Sequence, residues 1–581
     1  MQGKLVPIIT SLLFDDSEPG PPPANDSIFE SNPEATRFLN QATFGARASD
    51  VASVADDDYS KWLLAEFAKR PSLLMPHVNY FDSLKNNEEA EGFQFTSTTF
   101  GFWKNSIAGA DQLRQRMSFA LSQILVVSNF SCEGLADVPA AVGTYIDILN
   151  NNAFGNYRDI LEAITYSPTM GLFLTFMGNQ KENPATGRRP DENYAREILQ
   201  LFSIGLIRLN MDGTPVLDNS DNTIETYDND DITGLAKVFT GLNRADGEEF
   251  DFDEYYAETF LSPMQINESQ HSTSAKSFLG LTIPANTRAR ESIRRALDHI
   301  MAHQNVAPFI SRQLIQRFTT SHPQPAYIER VATAFETGRY TLPDSTIVGT
   351  GRKGDLKATI AAILLDSSVR SATALNDPTF GKVREPILRL TQWARAFRAS
   401  SITPEFTPEI WNTNTAEELD QHPYRAKSVF NFYRPGYVAP STLTGQSSLT
   451  MPEMQITNAT SIWGYTNFIM TFITESNTEE SVPELANDFD ELGVNLNANR
   501  RSSSFRANYG PELALASNPQ ALVDRLDFKL TAGLASSGMK EAIVDVIEGI
   551  EIEDDVQEAL RYRVHTAIGL FMSAADYLVQ R

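Results

Sequence analysis

The residues with most chemical potential lie in one short run, Asp191-Glu192-Asn193-Tyr194-Ala195-Arg196-Glu197. Laid on a helix at about 100° per residue, the apolar side carries Tyr194, Ile198, Leu201, Phe202 and Gly205. Ala195, Leu199 and Leu206 widen that side, so a helix over Asp191–Leu206 is expected to be buried on more than one face. Glu197 falls on one edge with Asn193 a turn before it. Glu192 and Arg196 fall near the other edge, in the order that favours an intrahelical pair. Asp191 and Glu192 suit the positive end of the helix dipole. A half-buried Glu197 needs a partner. Arg116, on the border of its own amphipathic helix, is the candidate. Two readings follow. In one, Glu197 is an acid or base, Asn193 orients a substrate and Arg116, Glu192 and Arg196 help bind it. In the other, an Arg–Glu network locks helices together.

Other groups are weaker. His299 and His303 stand at i and i+4, a spacing that can hold zinc, but no Glu lies inside the pair and a structural site needs about four ligands. They remain a weak metal pair, and no metal or cofactor is expected. His271 is a possible acid or base, or a loop cap before Phe278-Leu279-Gly280. Asp218–Asp231 lacks the spaced acids and glycine of a calcium loop and reads as a solvated turn and helix cap. The single cysteine, Cys132, excludes an internal disulfide and reads as inert. Phe430–Tyr437, with Tyr433 at its centre, is the densest aromatic segment. Exposed, it would stack on sugars or peptides; buried, it is a rigid core turn, the favoured reading. Neither a phosphate-binding glycine loop nor a Gly-x-Ser-x-Gly elbow occurs.

The elements that would position these residues are mostly helical. Gln112–Val127 places Leu113, Met117, Ala120, Leu121 and Ile124 on one stripe. The same periodicity returns at Ala289–Ala302, Val306–Phe318, Pro325–Thr337, Asp355–Leu365 and Glu385–Phe397, and again near Gln455–Ile473, Pro519–Ala535 and Ile552–Gln580. Asn210-Met211-Asp212-Gly213 reads as the turn of a small β-hairpin near 207–227. The expected fold is all-α: a large multi-helix domain over 29–581 with that hairpin and long surface loops. Residues 1–28, with Pro19-Gly20-Pro21-Pro22-Pro23, read as a flexible leader or the stub of an export signal.

The bulk numbers narrow the partners. With 74 acidic against 48 basic residues among 581, the net charge is -26. Such a surface repels phosphate backbones, so a nucleic-acid partner is excluded on charge. No run is long and apolar enough for a transmembrane helix.

Several blocks together resemble one family. They are Ala35-Thr36-Arg37-Phe38-Leu39-Asn40-Gln41-Ala42-Thr43-Phe44-Gly45; the run from Asp191 to Gly205; Phe239-Thr240-Gly241; His271 with Lys276-x-Phe278-Leu279-Gly280; the block around His303; Gln421-x-Pro423 with Ser428-Val429-Phe430-Asn431; and the closing Asp576-Tyr577-Leu578-Val579-Gln580-Arg581. In this order they are similar to the domain of unknown function 1800 family of bacterial proteins. The resemblance implies a helical fold and export to the periplasm, outer-membrane surface or medium. It also implies a sulfatase-like protein as a possible partner, and it transfers no reaction. Two function classes stay open: an envelope or cell-surface protein that binds an extracellular polymer or a partner protein, and a hydrolase or lyase using Glu197.

Overall fold

The computed structural model describes residues 28–54, 58–83, 96–245, 257–401, 410, 412–474, 505–552 and 555–581. The leader expected over 1–28 therefore lies outside the described residues, except for Ile28, which opens a helical turn over Ile28–Ser31. The fold is mainly helical, as expected, with strands only in short two-stranded antiparallel pairs. Among the described residues no helix is long and apolar enough to cross a membrane.

The helical stripes read from sequence become two buried cores. One gathers Leu113 and Met117 of Gln112–Ser122, Tyr194 and Ile198 of Asn193–Gln200, and Ile310 and Leu314 of Val306–Phe318. The other gathers Trp393 of Pro386–Ala396, Phe472 of Ala459–Ile473 and Phe571 of Val556–Ser573. The helix Gln112–Ser122 serves both, because Phe119 belongs to the second core. Its Arg116 lies at the seam, with Phe44 and Phe119 of one core and Phe318 of the other around the guanidinium.

Two local features position the site. The chain end Val579–Gln580 pairs antiparallel with Lys382–Val383, and the Arg384 amide donates to the Leu578 carbonyl. This fixes the strand that leads into Glu385, the residue before the helix Pro386–Ala396. Proline at the first position suits that start, since its missing N–H has no intrahelical role there. The second feature is the expected hairpin, which differs in form. It is a three-segment ribbon joined by isolated bridges, Ile207 with Glu225, Leu209 with Pro215 and Leu217 with Thr223. The first turn is closed by the Gly213 amide on the Asn210 carbonyl, with Gly213 in the left-handed region. Two turns in 20-odd residues leave no run of paired residues long enough for a regular strand.

Candidate functional site: an arginine-floored cleft

The central helix is shorter than its periodicity, spanning Asn193–Gln200. Beyond it the chain turns back: the Gly205 amide donates to the Leu199 carbonyl, and Gly205 adopts φ +71°. The Phe202 amide on the Glu197 carbonyl and the Ile204 amide on the Leu199 carbonyl make the six-to-one closures, and Gly205 takes the left-handed backbone that glycine favours. A β-carbon on Gly205 would lie 2.6 Å from the Phe309 ring, so glycine is required by space as well. The turn redirects Leu201 and Leu206 from the core stripe to an open wall, and Leu206 is 56% exposed.

The rest of the helix is an anchor. Tyr194 stacks on Phe176 at 4.1 Å between ring centroids and shares a 2.7 Å hydrogen bond with the Thr165 hydroxyl. The Asn193 backbone amide donates to the Asp191 carboxylate and its side-chain amide donates to the Thr175 hydroxyl, at the surface. Glu192 and Arg196 form the expected intrahelical pair, but loosely, at 3.8 Å and half exposed. Glu192 also accepts from the Thr233 hydroxyl at 2.8 Å.

Glu197 is buried, yet its Oε2 has no hydrogen-bond partner. Burial raises its pKa against the opposing pull of Arg196. The expected Arg116 partner is not there. Arg116 instead donates through Nη2 to the Arg317 carbonyl, and the acid acting on it is Glu385. The reason lies in the seam between the two cores, which takes the Arg116 side chain away from the central helix.

His271 stands apart in a third place. Its Nδ1 lies 2.9 Å from the Thr240 carbonyl and its Nε2 3.4 Å from the Ser292 hydroxyl. Burial lowers its pKa. Nearby, Lys276 donates to the carbonyls of Ser272 and Ser274, while Glu182 accepts from both of those hydroxyls. Every one of these bonds ties down the 271–276 loop. Asn193 and Glu197 thus stand one turn apart on one helix, whereas His271 belongs to a separate cluster, and none of the three lines the cleft described next.

The histidine pair straddles the end of its helix. The helix ends at Ala302, so His303 sits beyond the last turn with extended backbone. Its Nδ1 accepts the Asn305 amide at 3.1 Å, while His299 Nε2 is 2.9 Å from the Leu279 carbonyl. Burial, with Lys353, Arg208 and His299 nearby, lowers the His303 pKa to about 4. Among the described residues no group of three or more His, Cys, Asp or Glu is placed to hold a metal ion. Burial likewise raises the Cys132 thiol, which keeps it protonated and unreactive.

Arg116 and Tyr433 do meet, around Glu385. That carboxylate is fully buried. Its Oε2 accepts from Gln123 and Gln421 at 2.6 Å each and from the Tyr433 hydroxyl at 2.8 Å. Burial alone would raise its pKa; Lys382, Arg116 and the bonds from Gln421 and Tyr433 outweigh this and hold it below its ordinary value. Lys382 itself forms a fully buried ion pair with Glu453. The aromatic segment is thus half core and half surface: Tyr433 is 1% exposed, while Phe430 is only half-buried.

In front of this network lies a cleft of about 430 Å³. Its apolar wall includes Leu201, Leu206, Phe309, Val429, Phe430 and Pro435. Arg312, Gln313 and Arg317, all on the helix Val306–Phe318, also line it. Arg317 is 1% exposed, its Nε and Nη1 lack hydrogen-bond partners, and its guanidinium lies 5.0 Å from the centre of the Tyr433 ring. Arg312 Nε and Gln313 Nε2 are unpartnered too. Burial lowers the Arg312 pKa, and no acidic neighbour opposes it. Among the described residues the lining contains no carboxylate, histidine, serine or cysteine. It offers hydrogen-bond donors and apolar surface, and burial drives the Tyr433 hydroxyl well above its ordinary pKa.

Arg312, Arg317 and Glu385 were not singled out in the sequence. One signal was present. On a helix, Arg317 falls on the same stripe as Ile310 and Leu314, so a cation occupies a core position.

Fold and cleft together define a mainly helical protein with an arginine-floored cleft. The family model described as "Protein of unknown function (DUF1800)" matches residues 37–579, and the chain belongs to that family. No curated protein and no solved structure matches it.

Proposed function

We propose that this protein is an exported envelope or cell-surface protein that binds an extracellular polymer through the cleft between Leu201–Leu209, the helix Val306–Phe318 and residues 429–436. One observation carries the reading: a cavity of about 430 Å³ joins an apolar wall to hydrogen-bond donors that the fold leaves unused. Ligand sites commonly have this makeup, with few polar groups set in apolar surface. Export is supported by the family's usual setting. A sulfatase-like protein is the alternative occupant.

The hydrolase or lyase reading has one observation behind it, the buried and unpartnered Glu197 carboxyl. Against it, Arg116 and His271 belong to other clusters, and a proton-transfer group needs its substrate within reach.

Gly436 lines the cleft, and a β-carbon there would meet nothing within 4 Å, so Gly436→Phe adds bulk at the cleft with no clash at its first atom. Wild type, Gly436→Phe and Glu197→Gln are to be compared on a polysaccharide and peptide array and in pull-downs from native envelope. The expected result is polysaccharide capture by wild type and Glu197→Gln, lost in Gly436→Phe. Capture unaffected by Gly436→Phe, or ligand turnover abolished by Glu197→Gln, overturns the reading. Capture of a sulfatase-like protein alone replaces the polymer.

A further inference from the structure

We infer that the cleft selects an organic oxyanion, a carboxylate or sulfate borne on a ring-shaped or apolar body, which docks on Arg312, Gln313 and Arg317. The inference rests on the cleft being the binding site and adds the chemistry of its ligand.

The charge pattern is the first support. The chain carries 74 acidic residues and a net charge of -26, yet among the described residues no carboxylate pairs with the guanidinium of Arg312 or Arg317. Other buried cations are held by acids, as Lys382 by Glu453, Arg525 and Lys529 by Glu512 and Arg395 by Asp50, or by backbone carbonyls, as Lys276 by Ser272 and Ser274 and Arg384 by Tyr577. A buried cation left without an anion is costly, and folds that tolerate one commonly keep it for a ligand.

Geometry is the second. Arg317 is almost fully enclosed, lines the cleft, and leaves Nε and Nη1 unpaired. The Tyr433 ring at 5.0 Å holds the guanidinium plane without consuming its N–H groups, and the Tyr433 hydroxyl is in turn held by Glu385. Nε and Nη1 lie on different edges of that fixed plane, so each offers a single charge-assisted bond to an oxygen of a carboxylate or sulfate. The unpaired Gln313 Nε2 adds a neutral donor from the same helix.

The body of the ligand is set by the opposite wall. Leu201, Leu206, Phe309, Phe430 and Pro435 give it apolar and aromatic surface. A free inorganic ion would leave that wall uncovered, so the anion must be attached to a ring or chain.

The test uses benzoate, phenyl sulfate, the neutral isostere benzamide, and acetate, by calorimetric titration against the full chain. Benzoate or phenyl sulfate is expected to bind one to one, at least tenfold more tightly than benzamide or acetate, and more weakly as salt rises. Whichever of the two binds better assigns the headgroup. Arg312→Gln, at a half-buried position that should not disturb folding, is expected to weaken the anion tenfold or more and to leave benzamide unchanged. Arg312→Lys should restore part of the loss. Arg317→Met is expected to abolish anion preference while the protein stays folded by circular dichroism. If benzamide equals benzoate, the oxyanion inference falls and the binding cleft stands. If Gly436→Phe leaves anion binding intact, the anion binds elsewhere and the inference also falls. If no probe binds, the inference is overturned, whereas loss or retention of array capture in Gly436→Phe separately decides the cleft.

Discussion

Replacing Glu385 by glutamine keeps the shape of the side chain and removes one negative charge from a fully buried position. The amide oxygen can still accept from Gln123, Gln421 and Tyr433, the three donors that now converge on Oε2. The new amide nitrogen then falls where Oε1 has no hydrogen-bond partner, and it meets the cationic side of the cluster. Arg116 loses the acid that offsets its burial, a burial that already lowers its pKa to about 10. Removing one member of such a buried set costs about 3–5 kcal/mol. With an unfolding entropy of about 2 cal/mol/K per residue over 581 residues, the melting temperature should drop by about 3–4 °C if the whole chain melts together, and further if one core melts alone. The pH dependence fixes the cause. The folded Glu385 pKa is depressed, so its stabilisation is present above the unfolded value of 4.5 and is lost as pH falls through the folded value. Thermal melts from pH 4 to pH 8 should show a gap between wild type and Glu385→Gln that is full at neutrality and narrows in acid. Equal melting temperatures at pH 7, or a gap that widens in acid, would refute the reasoning.

Other substitutions have distinct signatures. Glu197→Gln should raise the melting temperature at pH 7–8 and match wild type near pH 4, because a raised folded pKa makes the carboxyl destabilising as pH rises through it; a loss of stability at pH 8 would reveal a partner for its charge. Lys382→Met leaves Glu453 as a lone buried charge and should cost about 3–5 kcal/mol by denaturant titration. Gly205→Ala should cost about 1–3 kcal/mol, through its left-handed backbone and the 2.6 Å approach to Phe309, and should weaken ligand capture by moving that ring. Arg317→Met should not lower the melting temperature in the absence of ligand, since it removes an unpaired buried charge; a large drop would show that the guanidinium stabilises the fold.

The helices were legible because each buries an apolar stripe, and periodicity reports burial directly. Val306–Phe318 and Pro325–Thr337 carry the bounds read from their patterns. The central helix ran long in the reading because Leu201, Phe202 and Gly205 continue its stripe, whereas the chain turns at Leu201 and Gly205. The Asp228 cap was legible and forms a full capping box with Asp231. Partners between helices were not. Arg116 sits on the expected face of its helix, but which acid it meets depends on how two cores join, and pattern within one helix carries no record of that. The cleft is assembled from residues about a hundred positions apart in sequence, Leu201, Phe309 and Phe430, so its existence is a property of packing alone. Tyr433 was singled out for its aromatic neighbours and proved to matter through its hydroxyl on Glu385 and its ring beside Arg317.

The most direct measurement on the cleft is hydrogen–deuterium exchange of the full chain with and without saturating benzoate or phenyl sulfate. If the cleft is the functional site, protection should rise together in 201–209, 309–317 and 429–436, the three segments that line it, and should be absent in Arg312→Gln. The segments around Asn193 and His271 should exchange as before. Protection confined to those latter segments, with the three cleft segments unchanged, would contradict the assignment and return the site to Glu197.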